Sequence, residues 1–304
     1  MSVLKYRNQV QLLLEVLPVV ADEECFALHG GTAINLFVKD MPRLSVDLDL
    51  TYLPIENRSA TLSNIANALR SVRDKIFAKS PDIRVIKNSD HTKLLCSRQG
   101  VQIKIEVNTT MRGSLGSPVV RVLSEKAQEA FNRFAEIRTL PIGQLYGGKI
   151  CAALDRQHPR DLFDIRYMLQ EPGFNNEIKR GFLLCLLCGD RPMHETIQPT
   201  SLDQRATLDD HFIGMTEDSF SYQQFETTRL TLLKEIASVL QPADRSFLIS
   251  FKEGQPAWGE YGFADFEKFP AVQWKLQNIR KLKETNPSKH EQQLEALKDR
   301  LKEA

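Results

Sequence analysis

Nothing in this chain approaches the roughly 18 uncharged apolar residues that a membrane span requires, and its most apolar window, around residues 181–189, is too short. The opening Met-Ser-Val-Leu-Lys-Tyr-Arg runs into a segment broken by Arg7, Gln9, Gln11 and Glu15 rather than into an apolar core with a cleavage site, which excludes a signal peptide. Neither sign of charge prevails: 40 Lys and Arg residues stand against 39 Asp and Glu. No long-range field therefore recruits nucleic acid or an anionic membrane, and any contact with RNA must come from a local patch. Cysteine is sparse and odd in number, at Cys25, Cys96, Cys151, Cys185 and Cys188, which argues against a disulfide framework. Cys185-Leu-Leu-Cys188 has the spacing of half a metal or redox site, but no second pair accompanies it, and it reads as two small buried residues on an apolar helix. Internal repeats and low-complexity segments are missing too. These absences leave a soluble, cytosolic globular protein with no membrane association.

What is present is a chain of 304 residues, long enough for one or two cores. Leu12, Leu13, Val16, Leu17 and Val20 recur at helical spacing and predict an opening amphipathic helix. Phe26-Ala-Leu-His29 reads as a short strand halted by Gly30-Gly31, and residues 32–38 as a helix entered directly from the glycines. Val46-Asp-Leu-Asp-Leu-Thr-Tyr52 alternates as a half-buried strand should. A helix over 62–76 and strands over 83–86, 92–96 and 101–107 follow. A strand-helix-strand start followed by antiparallel additions predicts an α+β fold with a small mixed sheet and helices on one side, not a doubly wound parallel sheet. From Pro141 onward helices dominate, notably over 225–240, 271–283 and 291–302. The expected division is a core over 1–140 and a mainly helical region over 141–304, with the helix around Lys149 able to belong to either.

Asp47 and Asp49 are one residue apart on a predicted strand, so both carboxylates point to one side of the sheet. Two such groups repel unless a cation lies between them. Glu106 sits on another predicted strand, on the same face as Lys104, and pairing of the two strands would bring a third carboxylate to that point. Three carboxylates beside a triphosphate make a hard-oxygen site suited to magnesium, which keeps several waters and takes further ligands from phosphate. Acidic pairs on a solvated strand face are common, but here Gly30-Gly31 lies between a strand and a helix. Glycine there permits close backbone approach, and the helix start offers unpaired N–H groups to an anion. A tight turn, with Thr32 as an ordinary helix cap, is the plainer account of the same residues.

His29-Gly-Gly-Thr-Ala-Ile followed by Arg43-Leu-Ser-Val-Asp47-Leu-Asp49-Leu resembles the first motif of the polymerase-beta-like nucleotidyltransferases, and more narrowly that of the AbiEii/AbiGii toxin family. Lys104-Ile-Glu106-Val-Asn108 resembles the second motif, and Lys149-Ile-Cys-Ala-Ala-Leu-Asp-Arg-Gln-His-Pro-Arg160-Asp161-Leu-Phe-Asp164 the third and fourth. Glu106 departs from the pattern, since many relatives carry Asp there. The resemblance implies a metal-dependent nucleotidyltransferase. It would use a polymerase-beta-like core, with Mg2+ or alternatively Mn2+ held by Asp47, Asp49 and Glu106. A nucleoside monophosphate would pass from a nucleoside triphosphate to an acceptor as pyrophosphate leaves. Gly30, Gly31, Thr32, Arg43, Lys104, Lys149, Asp161 and Asp164 become candidate nucleotide contacts, Lys149 also a catalytic one. The resemblance further implies a toxin–antitoxin or phage-defence role, an AbiEi-like antitoxin and tRNA as an acceptor. Nucleotidylation of a protein or small molecule, or noncatalytic nucleotide binding, are the rival readings.

From the residues alone, Lys149 reads equally as a lysine on a solvated helix face, Asp161 and Asp164 as a helix start paired with arginine, and Arg43 as a cap on the loop before the strand. His29 and His158 read as packing residues. Trp258 and Trp274, with Phe263, Phe266 and Phe269 nearby, offer stacking surfaces for bases, though core packing accounts for such a cluster more simply.

Overall fold

The computed structural model of the chain describes residues 2–88 and 90–303. Two compact units divide it: Met1–Pro141 with Asp209–Ser219, and Ile142–Leu208 with Phe220–Ala304. Among the described residues no helix is long and apolar enough to cross a membrane.

The first unit begins with α1 (Ser2–Ala21), β1 (Phe26–His29) and α2 (Gly30–Thr32), which continues into a π-helical turn, Ala33–Val38. There follow β2 (Asp47–Tyr52), α3 (Arg58–Lys79), β3 (Arg84–Lys87), β4 (Lys93–Arg98), β5 (Val101–Asn108), β6 (Val119–Val122), α4 (Glu125–Phe131) and β7 (Glu136–Thr139). The strands form one mixed sheet in the order β3-β4-β5-β2-β1-β7-β6. β2 runs antiparallel to β1 and parallel to β5, and β1 runs parallel to β7.

Strand period two explains how this sheet keeps one polar face. Leu48 and Leu50 of β2 and Ile103, Ile105 and Val107 of β5 are buried, whereas Asp47, Asp49, Lys104 and Glu106 between them are half-buried. α1 packs on β5 and β7, and α3 on β3 and β4. Each leucine or isoleucine taken from water there contributes about 1.5–3 kcal/mol. The sequence pattern anticipates every strand up to β5 but not β6, α4 or β7. β6 is an edge strand whose Val119, Val120 and Val122 are all exposed, and the alternation of β7, with Ile137 and Thr139 buried, spans only four residues.

Asp209–Ser219 belongs to the same unit although it lies far along the chain. The Leu44 N–H donates to the Met215 carbonyl at 2.7 Å, and the Thr216 hydroxyl donates to the Pro42 carbonyl at 2.8 Å. Phe212 and Met215 are buried.

The second unit is helical: α5 (Ile142–Asp155), α6 (Pro159–Gln170), α7 (Asn176–Cys188), α8 (Met193–Ile197), α9 (Arg205–His211, whose end belongs to the first unit), α10 (Tyr222–Val239), α11 (Pro242–Lys252), α12 (Pro270–Thr285) and α13 (Pro287–Glu303). α5 and α7 meet backbone to backbone. A Cβ on Gly181 would lie 1.8 Å from the Gly143 carbonyl oxygen, and one on Gly147 would lie 2.2 Å from the Gly181 carbonyl carbon. Gly143 and Gly147, four residues apart, share one helix face and make this approach possible. Phe247, Phe251, Trp258, Phe263 and Phe266 pack together in the same unit. Trp274 does not join them: it is 57% exposed, against the core-packing expectation. Cys185 is buried and Cys188 half-buried on α7, both as free thiols.

Candidate active site

The pairing of β2 with β5 sets Asp49 opposite Glu106 and Asp47 opposite Lys104. The pairing of β4 with β5 sets Lys93 opposite Glu106, and that of β1 with β2 sets His29 opposite Asp49. Directly opposed residues share a sheet face. Four adjacent strands thus contribute Lys93, Lys104, Glu106, Asp47, Asp49 and His29 to one polar surface of alternating charge.

The glycine turn closes one side of it. Gly30 has a φ of +72°, which glycine adopts without the clash a side chain would bring, and a Cβ there would lie 2.9 Å from Asp49 Oδ2. A Cβ on Gly31 would lie 2.8 Å from an Arg43 guanidinium nitrogen and 3.0 Å from Ser45 Oγ. Arg43 is buried over this turn and donates to the Leu44 carbonyl. The Thr32 hydroxyl does not cap a helix: it lies 3.0 Å from Ser45 Oγ and donates to the Asp47 carbonyl, tying the turn to the strand that bears the aspartates. Nδ1 of His29 lies 3.0 Å from the Thr51 hydroxyl on the same face.

Electrostatics knit the acids to the lysines. Lys104 donates to Glu106 at 2.6 Å, and Lys93 forms a second ion pair with the same carboxylate. Burial pulls Lys104 down, but Glu106, Asp47 and Asp49 together outweigh it and hold the ammonium above its ordinary value. Burial likewise raises Glu106, and the two lysines more than reverse that, leaving the carboxyl below its usual range. The donors suit a hard cation: all are carboxylate oxygens, and the absent side chain of Gly30 leaves room beside Asp49. Among the described residues no three His, Cys, Asp or Glu side chains already converge as a metal cluster. Glu106 is turned onto its lysines, so a cation reaching it must displace them.

Lys149, Asp161 and Asp164 come together in the second unit. Lys149 Nζ lies 2.8 Å from Asp161 Oδ1 and 2.9 Å from Asp164 Oδ2, and Arg156 donates to Asp161 at 2.6 Å. Lys149 is 6% exposed and Asp161 1%. Burial acts to raise the Asp161 carboxyl, but Lys149 and Arg156 hold it far below the usual aspartate range. The reading of Lys149 on a solvated face is thereby corrected, because Asp161 and Asp164 lie one turn apart on α6 and both face it from within the fold. The arginine partner of Asp161 is Arg156. The start of α6 is capped by the His158 ring, which accepts from the Arg160 N–H at 3.1 Å.

Lys93 is the one member of the polar surface that the sequence reading passed over. Its signal was available, since it lies on a predicted strand in alternation with Leu94. The Gly143/Gly147 spacing was a second unread signal, this one for helix packing.

The profile of the family described as "Nucleotidyl transferase AbiEii toxin, Type IV TA system" matches residues 11–278. Among solved structures the chain is similar to MenT4, the nucleotidyltransferase toxin Rv2826c from Mycobacterium tuberculosis H37Rv, with a TM-score of 0.62 and 12% identity over 92% of this chain and 94% of that one. At that identity the likeness concerns the fold. No curated protein matches. A match across most of the chain, over the fold of a nucleotidyltransferase toxin, places this protein in the AbiEii family, the nucleotidyltransferase toxins of type IV toxin–antitoxin systems.

Proposed function

We propose that this protein transfers a nucleoside monophosphate from a magnesium-bound nucleoside triphosphate to the 3′ end of a tRNA, with pyrophosphate leaving. The observation that carries this reading is the register that sets Asp49 opposite Glu106, with Asp47 on the same face and the Gly30-Gly31 turn against Asp49. Asp47 and Asp49 are the residues that would hold the cation, joined by Glu106 once its carboxylate leaves Lys93 and Lys104. Mg2+, or Mn2+ in its place, would lower the charge of the triphosphate and stabilise the oxygens gaining charge as the phosphoryl bond exchanges. Backbone N–H groups of the glycine turn, braced by Arg43 and Thr32, would cradle phosphate, and Lys104 would meet its negative charge. Glu106 Oε would accept the proton of the attacking hydroxyl.

The first unit is the catalytic core in this reading, and the helical unit carries acceptor recognition. Lys149, Asp161 and Asp164 brace α5 against α6. A direct contact of Lys149 with phosphate would require it to leave both aspartates. Such an enzyme would be held in check by an antitoxin of the AbiEi type.

The test is incubation with each of four labelled nucleoside triphosphates, Mg2+ and total cellular RNA, beside Asp49→Asn. Label in a tRNA-sized band that depends on Asp49 is the expected result and names the nucleotide. Label in protein instead would replace the acceptor, and no transfer with any nucleotide or purified tRNA would overturn the reading.

A further inference from the structure

The second unit holds a cavity of 320 Å3 whose walls include Lys252, Trp274, Lys275, Asn278 and Gln293. Lys252 is 5% exposed. Its Nζ donates to Gln293 Oε1 at 2.7 Å, and among the described residues no carboxylate pairs with it. Burial pushes its ammonium down to about 8. Lys275 lies close enough to feel the Lys252 charge, and burial pushes it down to about 8 as well. Its Nζ donates to the carbonyls of Leu186, Gly189 and Arg191, at 3.1, 2.6 and 2.8 Å, so its hydrogen bonds are spent on the wall, whereas the Lys252 ammonium lines the same cavity with the neutral Gln293 as its hydrogen-bond acceptor. Asp190 is the one acid among the described lining residues. Trp274 stands beside Lys275 on α12 and remains 57% exposed.

An ammonium removed from water without an acid partner is costly. An anion entering the cavity supplies the missing partner and is held in a medium where the attraction is strong. An exposed indole on the same wall favours an anion that carries a planar ring, because every base has a face on which an aromatic side chain stacks. The volume sits at the small end of the range of about 300–1,000 Å3 usual for small-molecule pockets. We propose that this cavity binds one nucleotide, its phosphate against Lys252 and its base on Trp274, with Asn278 available to the base edge. No residue of the first unit takes part, so the site does not rest on the transfer reading.

Adenosine monophosphate, a short unpaired ribonucleotide and inorganic phosphate, each titrated into the full chain in EDTA, test this through tryptophan fluorescence and calorimetry. The expected result is saturable quenching by the mononucleotide. Lys252→Gln weakens binding at least about tenfold, as loss of a buried charge contact should. Trp274→Leu, an exposed change that leaves the fold in place, removes the quench and weakens the calorimetric affinity. Tight binding of the oligonucleotide as well identifies a nucleotide within an RNA strand, and binding of the mononucleotide alone a free one. Phosphate binding as tightly as the mononucleotide, or Lys252→Gln and Trp274→Leu both binding like the parent, overturns the proposal. Asp49→Asn should keep this binding whatever becomes of transfer, which separates the two readings.

Discussion

Asp49 and Glu106 stand opposite one another across the parallel pair of β2 and β5, so backbone register alone puts their side chains next to each other on one face of the sheet. If both serve one cation, their contributions do not add. Asp49→Asn should slow single-turnover transfer by roughly 10²-fold or more, the scale of removing one electrostatic stabiliser. Adding Glu106→Gln should then cost little further. Fully additive losses would mean separate tasks.

Gly30→Ala should impair transfer more than folding. The left-handed φ of +72° costs an alanine about 1–2 kcal/mol, and the new methyl would press on Asp49 Oδ2. Thermal melting beside the transfer assay checks it. A variant equally active and equally stable would show that the turn tolerates a side chain.

Gly181→Ala should cost at least about 3 kcal/mol, the upper range of overpacking, because the obstructing atoms are the backbone of Gly143 rather than a movable side chain. Denaturant unfolding is the measurement, and an unchanged midpoint would contradict the close approach of α5 and α7.

Lys149→Met should destabilise the chain by about 3–5 kcal/mol, as expected when one member of a buried ion pair is removed. Replacing Asp161 and Asp164 by Asn in the same chain should recover part of the loss. Preserved stability with abolished transfer would instead indicate that Lys149 acts on phosphate.

Stability should fall with pH in the acid range partly through Asp161. Its folded carboxyl lies below the ordinary 3.8, so the unfolded chain binds the proton first. The stabilisation is therefore complete above that value and is lost as pH falls toward the folded one. Acid unfolding of Asp161→Asn should show a shallower dependence below pH 3.8, and an unchanged slope would show that the group is not coupled to folding.

Much of the acid-bearing sheet was legible because it obeys simple periods. Asp47 and Asp49 share a face by strand geometry, and the alternation of β5 announces Glu106. What periodicity does not encode is partner choice: the two lysines on Glu106 and the pair of aspartates around Lys149 arise from register and from helix packing. β6 escaped because its valines face out on both sides, and β7 because its alternation, with Ile137 and Thr139 buried, spans only four residues. Trp274 escaped because composition gives an aromatic residue no address within a cluster.

The return of Asp209–Ser219 to the first unit has a practical corollary. A fragment ending at Pro141 would lack the carbonyl of Met215 that receives the Leu44 N–H and the hydroxyl of Thr216 that reaches Pro42. The sheet-bearing half therefore cannot be liberated by one incision; a minimal version must splice 209–219 back in as a second piece.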